Sequence, residues 1–176
     1  MTILVIGGSG SGKSAYAEQL AASLFQGEKY YLATMRVRDE EGRERVRRHR
    51  QLRKDRGFHT IEQPEAVHRA LAEMKAQQLV LLECITNLAA NEMFSEAGMK
   101  TASQTAEAVI GSVAALREHT AYLIVVSGNV FEDGVSYDRT TMEYIRAMGE
   151  INRRLAKMAG QVVEVVAGIP LVLKRS

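Results

Sequence analysis

Lys13 and Ser14 close a run of small residues, Gly7-Gly8-Ser9-Gly10-Ser11-Gly12. Together the eight fit the spacing G-x-x-x-x-G-K-[ST]. Glycines at this spacing let successive backbone N–H groups turn inward onto phosphate oxygens. The lysine adds a mobile cation for β- and γ-phosphates, and the hydroxyl can ligate Mg2+. The flanks agree. Thr2-Ile3-Leu4-Val5-Ile6 reads as a buried strand, and residues 13–25 read as a helix whose N-terminus adds its dipole to an anion site. The expected ligand is a nucleoside triphosphate with Mg2+; the competing reading is a glycine-rich strand–helix turn with no ligand.

Two further side chains have chemical potential. Leu79-Val80-Leu81-Leu82-Glu83 is an apolar strand ending in a carboxylate. Beside a phosphate loop, such an acid holds Mg2+ directly or through water, so Glu83 joins Ser14 as an expected metal ligand. The alternative is a cap for the segment starting at Thr86. His49 lies in Arg43–Arg56, which holds eight basic and two acidic residues. If 40–56 is a helix, Val46, His49 and Arg53 share one face. A neutral imidazole there can attack phosphorus, forming a phosphoramidate that a second acceptor displaces. An exposed helix histidine fits the spacing too, and both readings stand at this point. His59, His68 and His119 read as structural, and no Cys, His and carboxylate set has zinc spacing.

The elements that must hold these residues follow from hydrophobic pattern. Apolar β-rich runs recur at 3–6, 30–33, 79–82, 123–126 and 162–166. Near-continuous apolar strands imply burial on both faces, hence a parallel sheet covered by helices. The helices are expected at 13–25, 40–56, 64–77, 86–96, 102–118 and 140–159. The end of the chain reads as two antiparallel strands around Gly168-Ile169-Pro170. The expected fold is a three-layer α/β phosphate-loop domain over residues 1–176, with an antiparallel hairpin at one edge. Ligands of such sheets sit beyond the carboxyl ends of the strands, which directs attention to Ala33-Thr34-Met35, Glu83 and Ser127-Gly128-Asn129.

Bulk properties exclude several classes. The 176 residues carry a net charge of only +2 despite a local +6 at Arg43–Arg56, so the remainder is acidic. Trp is absent and no aromatic residue interleaves the basic run, which argues against nucleic acid as a partner. No apolar run approaches the ~20 residues of a membrane span. A single cysteine, Cys84, and no leader pattern suit a cytoplasmic setting.

Taken in order, the segments ILVIGGSGSGKSAYAE, YLATMRVRDEEGRERVRRHRQLR, HTIEQP, LLECITNLAANEMF and VVAGIPLVLK resemble the bifunctional adenosylcobinamide kinase/adenosylcobinamide-phosphate guanylyltransferases of cobalamin biosynthesis, over nearly the whole chain. The resemblance implies that ATP or GTP phosphorylates adenosylcobinamide. His49 would then take GMP from GTP and pass it to that phosphate. It implies that Gly7, Gly8, Ser9, Gly10, Ser11, Gly12, Lys13 and Ser14 hold the nucleotide phosphates and that Ala33, Thr34 and Met35 line the site. It further implies that Arg50, Gln51, Leu52 and Arg53 adjoin the guanylylated histidine, that Glu62 contacts nucleotide, and that Glu83 serves Mg2+. A homo-oligomer, a trimer, is implied as well. The chain departs from the family pattern at Gly10, where arginine is usual, and at Asn129, where glutamate is usual. It departs again at Ser136-Tyr137-Asp138-Arg139, which keeps only the arginine of P-E-N-R. A changed acceptor on a simple phosphate-loop kinase, or a nucleotide-gated binding protein, is the alternative these departures raise.

Overall fold

The computed structural model describes residues 1–36, 57–96, 98–129, 135 and 137–175. Strand β1 (Thr2–Ile6) leads through the glycine loop into α1 (Lys13–Leu24), followed by β2 (Lys29–Ala33) and β3 (Phe58–Glu62). A 3-10 helix (Val67–Glu73), β4 (Leu79–Glu83), α2 (Ile85–Met93) and a small hairpin of β5 (Phe94–Ser95) and β6 (Gly98–Met99) come next. The chain continues with α3 (Ala102–His119), β7 (Tyr122–Val126), α4 (Arg139–Met158), β8 (Gln161–Val166) and β9 (Ile169–Arg175). The main sheet runs β3-β2-β4-β7-β1-β8-β9. Every neighbouring pair is parallel except β8 and β9, which form the expected antiparallel hairpin at one edge.

Strand side chains alternate between two apolar layers, as the period of two requires. Leu4, Leu32, Val80, Leu82, Leu123 and Val125 pack with α2, α3 and α4, joined by Leu88, Val109, Val113, Ile151 and Leu155. Ile3, Val5, Tyr31, Leu79, Leu81, Ile124 and Val126 face the other way, with Ala17 and Ala21 of α1. Both faces are therefore covered, which is why the central strands are apolar without interruption. Each fully buried Leu or Ile contributes about 1.5–3 kcal/mol over its exposed state.

Two expected helices differ in the structure, and one strand of the sheet is additional. The helix expected over 64–77 is a 3-10 helix at Val67–Glu73. Its buried residues Val67 and Ala70 lie three apart, the 3-10 repeat, and Ala66 before them is left-handed at φ 45°. The helix expected over 86–96 starts at Ile85 and ends at Met93, because Phe94 and Ser95 pair with Met99 and Gly98. β3 was not expected. It is an edge strand of mixed polarity, with Phe58 and Ile61 buried and His59 and Glu62 exposed. The helix expected over 40–56 lies outside the described residues.

Candidate active site

The glycine loop has the conformation its sequence demands. Gly10 and Gly12 adopt φ values of 70° and 88°, which L-side chains rarely accept. Gly10 is thus a backbone requirement here, and the arginine usual in the resembling family would be strained at that angle. Gly7 is fixed by space: a Cβ there would stand 2.5 Å from the Val165 carbonyl oxygen and 2.6 Å from Ser11 Oγ. The loop is tied to the β8–β9 turn by the Gly168 amide, which donates to Ser11 O at 2.8 Å. Gly12 caps α1 without a side-chain acceptor, so the first-turn amides remain available to an anion. Lys13 Nζ donates to Gly8 O at 2.9 Å, which holds the cation over the loop.

Ser14 Oγ donates to Glu83 Oε1, joining the start of α1 to the end of β4. The other carboxylate oxygen, Glu83 Oε2, is buried without a hydrogen-bond partner. Native structures rarely leave a buried carboxylate oxygen orphaned. A hard divalent cation beside a hydroxyl and a carboxylate satisfies it, so the donor set fits Mg2+. Glu83 is not a helix cap: Cys84 holds that position for α2 and makes no side-chain cap bond.

Sheet register aligns the other expected residues. Glu62 lies opposite Ala33, Ala33 opposite Glu83, and Glu83 opposite Val126, itself opposite Val5. This row crosses the carboxyl ends of five strands. With strands about 4.8 Å apart, Glu83 lies about 10 Å from β1 and Glu62 about 19 Å, the reach of an extended nucleotide. Thr34 is buried and locked: its hydroxyl donates to Cys84 O and accepts from Cys84 N, both at 2.8 Å. Met35, next in the same segment, is exposed. His49, Arg50, Gln51, Leu52 and Arg53 lie outside the described residues.

Several positioning residues carry no sequence signal. Asn91 of α2 donates to Thr34 O at 2.8 Å and Pro64 O at 3.0 Å, clamping the ends of β2 and β3. Buried Glu92 accepts from the Ala66 amide at 2.8 Å and pairs with Lys100 at 2.5 Å. Tyr144 of α4 donates to Thr86 O at 2.8 Å; burial pushes its hydroxyl up to about 12, so it remains a donor. Behind the phosphate loop, Ser127 Oγ donates to Asn152 Oδ1 at 2.6 Å, and Asn152 Nδ2 to Gly128 O at 3.1 Å. The Asn129 amide donates to Gly7 O at 3.2 Å, while its side chain donates to Glu164 Oε1 at 3.1 Å. The carboxylate of Glu164 on β8 thus lies within hydrogen-bond reach of position 129. Two of the other histidines have structural partners: His68 bonds Ser112 at 2.9 Å, and the His59 ring packs 5.9 Å from that of Tyr30.

A glycine loop between β1 and α1, with the hydroxyl of Ser14 paired to a carboxylate from β4, two strands away, defines a phosphate-loop nucleotide-binding α/β protein. The fold is shared with flagellar accessory protein FlaH from Methanocaldococcus jannaschii, at TM-score 0.55 and 12% identity over 99% of this chain and 78% of that one. Residues 3–173 match the family described as cobinamide kinase / cobinamide phosphate guanyltransferase, and the chain belongs to that family. It is similar to the bifunctional adenosylcobalamin biosynthesis protein CobU of Escherichia coli K12, at 33% identity over 99% of this chain and 100% of the relative. The protein of the same name from Salmonella typhimurium LT2 is 30% identical over 99% and 100%. CobP of Pseudomonas aeruginosa PAO1, named for the same role, is 29% identical over 99% and 98%.

Proposed function

We propose that this protein is an adenosylcobinamide kinase and adenosylcobinamide-phosphate guanylyltransferase acting in cobalamin biosynthesis. The observation that carries the reading is the Ser14–Glu83 contact with its orphaned carboxylate oxygen, at the mouth of a glycine loop in a chain of this family. In the kinase step, the acceptor hydroxyl attacks the γ-phosphorus of ATP or GTP and the nucleoside diphosphate leaves. In the transfer step, neutral His49 attacks the α-phosphorus of GTP and pyrophosphate leaves. The acceptor's phosphate oxygen then attacks the same phosphorus, the P–N bond breaks, and adenosylcobinamide-GDP departs.

The chain's own residues divide the work. Loop amides and Lys13 hold the non-bridging and leaving phosphate oxygens where charge develops. Ser14 and Glu83 would hold Mg2+, which supplies charge neutralisation on the departing phosphate group. Ala33, Met35 and Glu62 receive the nucleoside along the strand-end row, buried Thr34 holds that segment in place rather than touching the ligand, and Arg50 to Arg53 adjoin the histidine. A cytoplasmic setting and a homo-oligomer, trimeric by family likeness, belong to the same reading. The apolar edge strand β9 supports the latter: Ile169, Leu171, Val172 and Leu173 are all exposed on the single chain.

The test is product formation. Adenosylcobinamide incubated with GTP, ATP and Mg2+ is expected to gain first a phosphate and then GMP, read by mass spectrometry. Phosphorylation of some other alcohol, with adenosylcobinamide untouched, would replace this reading with that of a divergent small-metabolite kinase. That second reading is favoured by Asn129, which removes a carboxylate from the loop after β7. Nucleotide binding with no turnover would leave the gated binding protein.

A further inference from the structure

Beyond the ends of β2 and β3 the structure has an open cavity of about 590 Å³, walled by the segments after those strands, by α2 and by the β5–β6 hairpin. Its charges cancel. Arg36, Arg69 and Lys100 face Glu65, Glu92 and Glu96. Arg36 is paired with Glu65, and Lys100 with Glu92. Arg69 and Glu96 are exposed at the rim and join no ion pair among the described residues. The walls are rigid: Glu92 is buried and fixed by the Ala66 amide, and Asn91 clamps Pro64.

A cavity whose described lining carries zero net charge, with two of its three cations already paired, offers a polyphosphate little net attraction. It does offer donors and acceptors side by side. A guanidinium beside a carboxylate matches the C=O and NH2 of a primary amide, each satisfied by one partner. We propose that this cavity receives the amide-bearing periphery of the acceptor, a neutral and multiply hydrogen-bonding ligand, while the nucleotide phosphates remain at the glycine loop. The inference rests on the proposed function, whose acceptor is a corrinoid carrying such amides. The location is consistent with transfer. Arg36 lies three residues past Ala33, which is opposite Glu83 in the sheet, so the cavity lies beyond the same strand-end row that carries Glu83.

The experiment is titration calorimetry of adenosylcobinamide and, separately, of GTP with Mg2+, on the whole protein and on Arg69→Ala and Glu96→Ala. Both positions are exposed, so folding is not at stake. Each variant is expected to bind adenosylcobinamide about tenfold more weakly, the loss of one hydrogen-bonding partner, with GTP affinity within about twofold of wild type. Unchanged adenosylcobinamide affinity in both variants overturns the cavity assignment alone. Weakened GTP with unchanged adenosylcobinamide overturns it in favour of the guanine base. A wild-type protein that binds GTP but no adenosylcobinamide overturns this inference and the proposed function together.

Discussion

At Glu83 two demands conflict. Its carboxylate has one oxygen bonded by Ser14 and the other buried and unsatisfied. Such an atom costs stability when no cation is bound. Glu83→Gln is therefore expected to raise the thermal stability of the nucleotide-free protein, by about 1 kcal/mol. The same change is expected to lower turnover by about 100-fold. Thermal melts beside steady-state rates check both, and a variant that is less stable or fully active contradicts the assignment. A second conflict sits behind the loop, where Asn129 bonds both Gly7 O and Glu164. Glu164→Ala is expected to lower kcat about tenfold with little change in nucleotide KM, because Asn129 loses its anchor. Glu164→Gln, which keeps an acceptor oxygen, is expected to restore it. Equal losses in both variants would show that the carboxylate's charge, not its positioning, is at work. Gly7, Lys13, Ser14 and Glu83 were legible in the sequence because each is demanded by local spacing or by the end of an apolar run. Asn91, Asn152 and Glu164 were not, since their partners lie 24 to 57 residues away and no local pattern marks them.

Carboxylates staple α3 and α4 together. Asp138 caps α4, accepting from the amides of Thr140 and Thr141 and from the Thr141 hydroxyl. That hydroxyl, then the amides, hold its carboxyl below the usual 3.8. Glu143 accepts from the Ala102 amide at the start of α3, and Glu107 pairs with Arg154 across the two helices. Both are held below the usual 4.5 by those partners, the Ala102 amide first for Glu143 and the Arg154 hydrogen bond for Glu107. A depressed folded pKa gives stability that is present above the unfolded value and lost as pH falls through the folded one. Stability is therefore expected to be flat above about pH 5 and to decline below about pH 4. Denaturant midpoints measured across that range check it, and Asp138→Ala is expected to be less stable at pH 7 with a shallower acid decline. A midpoint that rises on acidification contradicts the account. The long helices were legible at this scale because amphipathic spacing and caps are local. The 3-10 helix and β3 were not, because both are short and half-exposed, and their state is set by the Asn91 and Glu92 clamps and by pairing with β2.

For the whole molecule, the apolar runs mark a parallel sheet, whereas strand order is set by pairing between segments far apart in sequence, which no local pattern encodes. β9 ends that sheet with an exposed, apolar edge, a surface that isolated proteins usually protect. Light scattering on the purified chain is expected to return a multiple of 19.5 kDa; a monomer at micromolar concentration contradicts the oligomer. The proposed passage of GMP through His49 requires a covalent intermediate on that side chain. Its most direct test is incubation of the protein with α-phosphate-labelled GTP and Mg2+, followed by mapping of the label. One acid-labile GMP adduct is expected, on His49, absent from His49→Ala and discharged by adenosylcobinamide phosphate. No adduct, or one that survives His49→Ala, contradicts it.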